Sequence, residues 1–193
     1  RAGADAADAV LYEGVSLSDD QSLGKVEKIE RSEGYDLGLR VLVGKRQAII
    51  SSNDRNAERL DALVERAIAM AKAVPEDPYC GLAEPAMLAR DWPDLDLADP
   101  EEPAPETLIA RAAAAEDAAR AVAGVTNSEG AEASWSRGRV ALAASNGFAG
   151  SYAATGHGVS VAVLDGTGTG MERDYDYTSA VHAADLEAPA VIG

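Results

Sequence analysis

Residues 125–180 contain Val140-Ala141-Leu142-Ala143-Ala144, Ser145-Asn146-Gly147, Val159-Ser160-Val161-Ala162-Val163 and Met171-Glu172-Arg173-Asp174-Tyr175-Asp176-Tyr177. The first segment is an apolar run of strand length. The second is a tight reversal, because Asn and Gly tolerate positive φ. The last two alternate with a period of two, which gives a strand two different faces. Short strands joined by tight turns are an antiparallel pattern, so this region predicts a meander of about four strands.

The front of the chain reads in the same way. Residues 1–8 resemble the tail of an alanine-rich helix or a short lead-in. Residues 9–18 predict a strand, Asp19 to Ser22 a turn, and Lys25 to Arg31 a second strand. Ser32-Glu33-Gly34 predicts another turn, Leu37 to Val43 a third strand, and Gln47 to Ser52 a fourth, rich in β-branched residues. Asn53, Asp54 and Asn56 are candidate N-caps. Leu60, Leu63, Val64, Ala67, Ile68 and Ala71 follow at helical spacing, and Pro75 stops that helix after Val74.

Residues 75–105 differ in kind. Seven of the eight prolines fall here, which predicts an extended connector rather than a domain. Tyr79, Leu82, Met87, Leu88, Trp92, Leu95 and Leu97 are apolar enough to pin it across the folded body. Residues 106–123 predict a second helix with a small apolar face (Leu108, Ile109, Ala112, Ala115, Ala119, Val122), closed by Gly124. Residues 182–193 read as a loop and the start of a further helix.

The two halves share an order of elements. Ser32-Glu33-Gly34-Tyr35 aligns with Ser145-Asn146-Gly147-Phe148, which suggests a duplication. The expected fold class is α+β: an internally duplicated unit of antiparallel meander plus helix, its two halves packed into one domain. The expected divisions are a first repeat at 1–74, a connector at 75–105 and a second repeat at 106–193. The chain starts at Arg1 and stops at Gly193 inside a helical segment, so it reads as a fragment of something longer.

The net charge of −16 offers no basic footprint for nucleic acid and disfavours anionic membrane surfaces. No apolar run is long enough to span a bilayer. The one cysteine, Cys80, rules out an internal disulfide and fits a reducing compartment.

Few residues invite chemistry. His157 and His182 lack a partner at the helical spacing of metal-binding pairs. Glycines flank His157, which predicts a turn there; His182 reads as a strand-to-helix junction. Cys80 has no neighbouring base and reads as a small apolar filler. Gly166-Thr167-Gly168-Thr169-Gly170 precedes a strand pattern rather than a helix, so a hairpin turn is expected and a phosphate loop is not. Glu172, Asp174 and Asp176 predict a solvated or interface edge, with Tyr175 and Tyr177 on the opposite face as core or interface residues. No catalytic, cofactor-binding or metal-binding residue is expected in this chain.

Several segments resemble the TldD/PmbA family: Thr126-Asn127-Ser128-Glu129-Gly130, Ser145-Asn146-Gly147-Phe148, residues 170–177, residues 77–83, and Leu39-Arg40-Val41 through Arg46-Gln47-Ala48. The Asp174-Tyr175-Asp176-Tyr177 run resembles the PmbA (TldE) branch more than the TldD branch. The resemblance implies the N-terminal domain of a cytoplasmic bacterial protein historically called a modulator of DNA gyrase. In that family, TldD-like and TldE-like proteins form a heterodimeric zinc metallopeptidase that processes a microcin precursor and degrades an unfolded antitoxin.

The family's zinc motif, H-E-x-x-x-H, belongs to the TldD partner and has no counterpart here. The resemblance therefore implies a scaffold and interface role, with zinc on a TldD-like partner. Expected partners are that subunit or a second copy, together with the peptide substrate of the complex. The alternative is an acidic peptide- or protein-binding module that acts by β-edge contacts without protease activity.

Overall fold

The computed structural model describes residues 3–54 and 56–193. The element order is β1 (Ala6–Ser22), β2 (Lys25–Val43), β3 (Arg46–Ser52), α1 (Ala57–Ala73), α2 (Pro105–Ala121), β4 (Val125–Ala144), β5 (Ala149–Asp165), β6 (Glu172–Ala180) and the short α3 (Pro189–Ile192). The strands form one antiparallel sheet in the order β3-β2-β1-β4-β5-β6, so the class is α+β as the sequence implies. Each half supplies three consecutive strands, and the order runs outward from β1 and β4 in both directions. No helix among the described residues is long and apolar enough to cross a membrane.

The strands are longer and fewer than the turn chemistry suggests. Ser32-Glu33-Gly34 lies inside β2, and Gly34 keeps ordinary extended backbone. Asp19 to Ser22 is strand rather than turn. The reversal falls instead at Leu23 (φ 52°) and Gly24 (φ 73°), both left-handed, as a two-residue hairpin turn requires. The counterpart of the Ser145-Asn146-Gly147 turn is therefore Leu23-Gly24, and the alignment through Gly34 fails. Residues 125–180 hold three strands, not four, because the stretch from Phe148 onward merges with the 159–163 run in β5.

No helix precedes β1 among the described residues; Arg1 and Ala2 lie outside them. Asp5 donates its N–H to the Leu42 carbonyl at 2.9 Å, and Ala7 exchanges hydrogen bonds with Ser145, so main-chain pairing overrides alanine's helical preference.

The chain divides into two compact units, residues 1–13, 34–94 and 139–152, and residues 14–33, 95–138 and 153–193. In the first, α1 is capped by the Asn56 side chain, which accepts the Glu58 N–H at 3.0 Å. Its apolar stripe, Ala67, Ile68 and Ala71, packs on Val41 and Ala48, with Leu39, Val43, Ile50 and Val64 around them. β2 and β3 meet there in the register Val41↔Ala48 and Leu39↔Ile50.

The connector is extended, with a short 3₁₀ turn at Pro85–Met87. Its pins match those expected only in part. Tyr79, Met87, Trp92 and Leu95 are exposed, Leu82, Leu88 and Leu97 are half-buried, and Cys80 and Asp99 are buried. Asp77 N–H reaches the Lys45 carbonyl, and Asn146 holds the Ala83 carbonyl at 2.9 Å.

In the second unit, α2 lies on one face of the sheet. Leu108, Ala112, Ala115 and Ala119 pack against Leu17, Ala131, Ala133, Trp135, Val159 and Val161, with Ile192 of α3 closing the cluster. Small helix residues permit this close approach. Ser128 and Ala131 both face α2 although they are three residues apart. The extra residue is absorbed at Gly130 (φ 119°), a β-bulge; a Cβ there would overlap the Gln21 carbonyl oxygen. Glu116, fully buried on α2, accepts the Leu23 and Gly24 N–H groups at 2.8 Å each and the Ser128 hydroxyl at 2.6 Å.

Candidate functional site

Alternation along the strands of the second unit sorts their residues onto two faces. Asp19, Gln21, Ala131, Ala133, Trp135, His157, Val159 and Val161 are buried beneath α2. Asp20, Glu132, Ser134, Ser160 and Ala162 therefore point to the other face. The register of β5 with β6 places Tyr177 beside Ser160, Tyr175 beside Ala162 and Arg173 beside Leu164. Tyr175 and Tyr177 are 62% and 64% exposed, so they line an open face rather than a core.

On that face Arg173 pairs with Glu129 at 2.5 Å and lies 5.1 Å from the centre of the Tyr175 ring. β6 is the edge strand. Glu172, Asp174 and Asp176 are exposed along it, and Asp174 and Asp176 each accept the N–H of the following tyrosine. The exposed carboxylates agree with the sequence reading of a solvated edge; of the two readings of the tyrosines, core or interface, their exposure removes the core.

The histidines lie in a different place. His157 sits in the middle of β5 rather than in a turn, with its side chain only 1% exposed. Its flanking glycines leave room on the open face: a Cβ at Gly158 would sit 3.0 Å from the Ser134 hydroxyl. The His157 Nε2 lies 3.2 Å from Asp99 Oδ2.

Asp99 is a hub. Its carboxylate accepts the Ala183 N–H at 2.8 Å and the Glu101 N–H at 3.0 Å, and its own N–H donates to the Thr155 hydroxyl at 2.7 Å. Thr155 donates its hydroxyl hydrogen bond to the Val181 carbonyl, and Arg137 donates to the Asp99 carbonyl. His182, past the end of β6 and just before a 3₁₀ turn at Ala183–Asp185, lies 3.0 Å from the Asp96 carbonyl oxygen. One end of the connector is thus fastened to β5 and to the turn after β6.

Burial pushes the His157 imidazole below its ordinary value of 6.5, and Arg111 pushes the same way; the nearby Asp99 carboxylate offsets only part of this. The folded chain therefore holds His157 neutral. Its contribution to stability is fully present above 6.5 and is lost as pH falls toward the depressed folded value. The Asp99 carboxyl is lowered by the Ala183 and Glu101 N–H groups, so its own contribution persists to more acid pH. His182 is raised by the Asp96 carbonyl, so it contributes in the opposite sense, below 6.5. We predict that His157→Gln flattens the fall in melting temperature between pH 6.5 and 5 relative to wild type. An unchanged slope would contradict a buried neutral imidazole.

The other candidates resolve simply. Cys80 is buried, as a filler would be. Gly166 and Gly168 take positive φ and lead through a 3₁₀ turn into β6, not into a helix. Asp99 and Glu116 went unread because a single acidic residue in a proline-rich connector, or within an alanine-rich helix, carries no local sign of burial. Among the described residues no group of three His, Cys, Asp or Glu converges to hold a metal.

The comparisons with known proteins agree on the family. Residues 7–71 match the model for PmbA/TldA metallopeptidase domain 1, and residues 98–193 match the PmbA/TldA metallopeptidase central domain. The metalloprotease PmbA of Escherichia coli O157:H7 is 33% identical over 98% of this chain and 42% of its own length. A PmbA homologue from Haemophilus influenzae is 31% identical over the whole chain and 43% of its own length. The chain thus spans less than half of these relatives.

Among solved structures, a protein described as a modulator of DNA gyrase from Bacteroides thetaiotaomicron superposes with a TM-score of 0.87 at 25% identity, covering 96% of this chain and 43% of its own. TldE from Thermococcus kodakarensis gives 0.80 at 16% identity, covering 97% and 42%, a likeness of fold. Two family models in the right order, and near-complete coverage of this chain by the curated relatives, place it in the PmbA/TldD metallopeptidase family.

Proposed function

We propose that this chain forms the first part of a PmbA/TldE-like subunit in a cytoplasmic TldD/TldE-type zinc metallopeptidase complex that cleaves unfolded or precursor peptides. In this reading the chain supplies wall and contact surface, and the zinc and its activated water belong to a TldD-like partner. The observation that carries it is the family membership joined to a side-chain set with no converging metal ligands among the described residues.

The test is to mix the full chain with a TldD-like subunit, follow co-elution, and measure zinc in each separated subunit. Co-elution with zinc in the partner alone is expected. One zinc held tightly by this chain, or peptide cleavage by it unaided, would overturn the reading.

The exposed edge of β6 favours a second reading, an acidic binding module that takes up an extended segment by strand addition. Uptake of peptide by the chain with no contact to a TldD-like subunit would favour it over the first. Direct DNA binding is disfavoured by the charge of −16.

A further inference from the structure

The open face of the second unit carries a groove of about 420 Å³ that crosses five neighbouring strands. Asp20, Glu27 and Glu132 line it, and Tyr175 with Arg173 forms one end. The floor is small, with Gly130, Ser160 and Ala162. No element among the described residues covers this face, whereas β1, β4 and β5 are covered by α2 on the other side.

The charges in the groove are unbalanced. Its two cations are already engaged: Lys28 pairs with Glu30, and Arg173 with Glu129. Asp20, Glu27 and Glu132 make no ion pair or side-chain hydrogen bond among the described residues. Burial raises the Glu132 carboxyl above its ordinary value, and repulsion from Asp20 raises it further. An occupant that brought positive charge would relieve both effects.

The face also displays how a cation sits on it. Arg173 lies over the Tyr175 ring and reaches a carboxylate at the same time. Tyr177, on the same face of the same strand, presents a second exposed ring with no cation over it among the described residues.

We propose that this groove is a docking site for an extended, lysine- or arginine-rich polypeptide segment lying across β2, β1, β4, β5 and β6. Its cationic side chains meet Asp20, Glu27 and Glu132, and one of them stacks on Tyr177. Five strands span roughly 19 Å at the usual spacing, which an extended segment covers with about six residues. A helix would need an apolar stripe beneath it, and this floor supplies small residues between carboxylates.

The site uses side chains on the sheet face, so it is distinct from strand addition at the β6 edge, and it holds whether or not a zinc-bearing partner assembles with the chain.

The experiment measures fluorescence anisotropy of the full chain with a labelled eight-residue peptide of alternating lysine and serine. A glutamate–serine peptide is the comparison. Binding of the basic peptide alone is expected, weakening as salt is raised from about 50 to 300 mM. The pair Asp20→Asn and Glu132→Gln should weaken it about tenfold. The pair Asp174→Asn and Asp176→Asn removes the same formal charge from residues that register with Val163 and Val161 on the α2 side, and should leave affinity nearly unchanged.

Thermal melts check that each variant folds. If the first pair does not, Tyr177→Ala, exposed and free of core contacts, takes its place with the same expected direction. Equal binding of acidic and basic peptides, equal losses in both charge pairs, or a self-associated chain in sedimentation whose contact blocks the peptide would overturn the proposal. Co-elution with a TldD-like subunit reports on the assembly reading separately.

Discussion

Glu116→Ala is expected to destabilise the chain by about 4 kcal/mol, read as a lower urea midpoint with little change in slope. Three donors converge on this one carboxylate: the Leu23 and Gly24 main-chain N–H groups and the Ser128 hydroxyl. Glu116 is fully buried, so water cannot replace the lost acceptor without opening the packing. Each donor left unsatisfied in the interior costs about 1–3 kcal/mol.

Glu116→Gln keeps one acceptor oxygen and should fall between wild type and alanine. Burial alone would raise this carboxyl above its ordinary 4.5, but Ser128, Gly24 and Leu23 together outweigh it and lower the value. Its contribution is therefore present above 4.5 and disappears as pH falls through the lowered folded value. A loss below about 1 kcal/mol for Glu116→Ala would mean that the hairpin tip does not depend on this acceptor.

Trp135→Ala should cost about 3–5 kcal/mol, whereas Trp92→Ala should cost less than about 1 kcal/mol. Trp135 is 1% exposed and packs among Leu17, Leu108, Ala112 and Val159, so truncation leaves a cavity under α2. The surrounding side chains are mostly small and cannot swing in to fill it. Trp92 is 54% exposed and touches Phe148 with ring centres 6.3 Å apart, so removing it opens no enclosed space. Urea titration of the two variants measures both costs. Iodide quenching supplies a second check, since the Trp92→Ala protein should retain only a protected emitter. Equal losses in the two variants would refute the assignment of the core.

How well the elements could be read from sequence follows from where their determinants lie. α1 was readable because its cap at Asn56, its stripe through Ala67, Ile68 and Ala71, and its stop at Pro75 are all local. The Ser145-Asn146-Gly147 turn and the turn through Gly166 were readable for the same reason.

Gly34 misled because a glycine in a strand and a glycine in a turn look alike until the neighbouring strand is known. Leu23-Gly24 was missed because leucine seldom takes positive φ; here an acceptor 93 residues away holds it there. At the candidate site, the alternation of 171–177 divided carboxylates from tyrosines correctly. It could not reveal that β6 lies at an edge, which left the tyrosines exposed. By local chemistry alone, the glycine neighbours of His157 predict a turn. Those glycines instead relieve crowding on the sheet face opposite the imidazole.

The tie between the β1–β2 tip and α2 has a consequence for biosynthesis. The ribosome delivers Gly24 a full 92 residues ahead of the carboxylate that fastens it. At about 5–20 residues per second, that is a delay of roughly 5–20 s. Throughout that interval the nascent hairpin has an uncapped end, and a leucine must hold a backbone shape it disfavours without help. Maturation of this corner of the molecule therefore waits on translation of α2, and pauses upstream of Pro105 would lengthen the time during which the tip is open to chaperones or proteases.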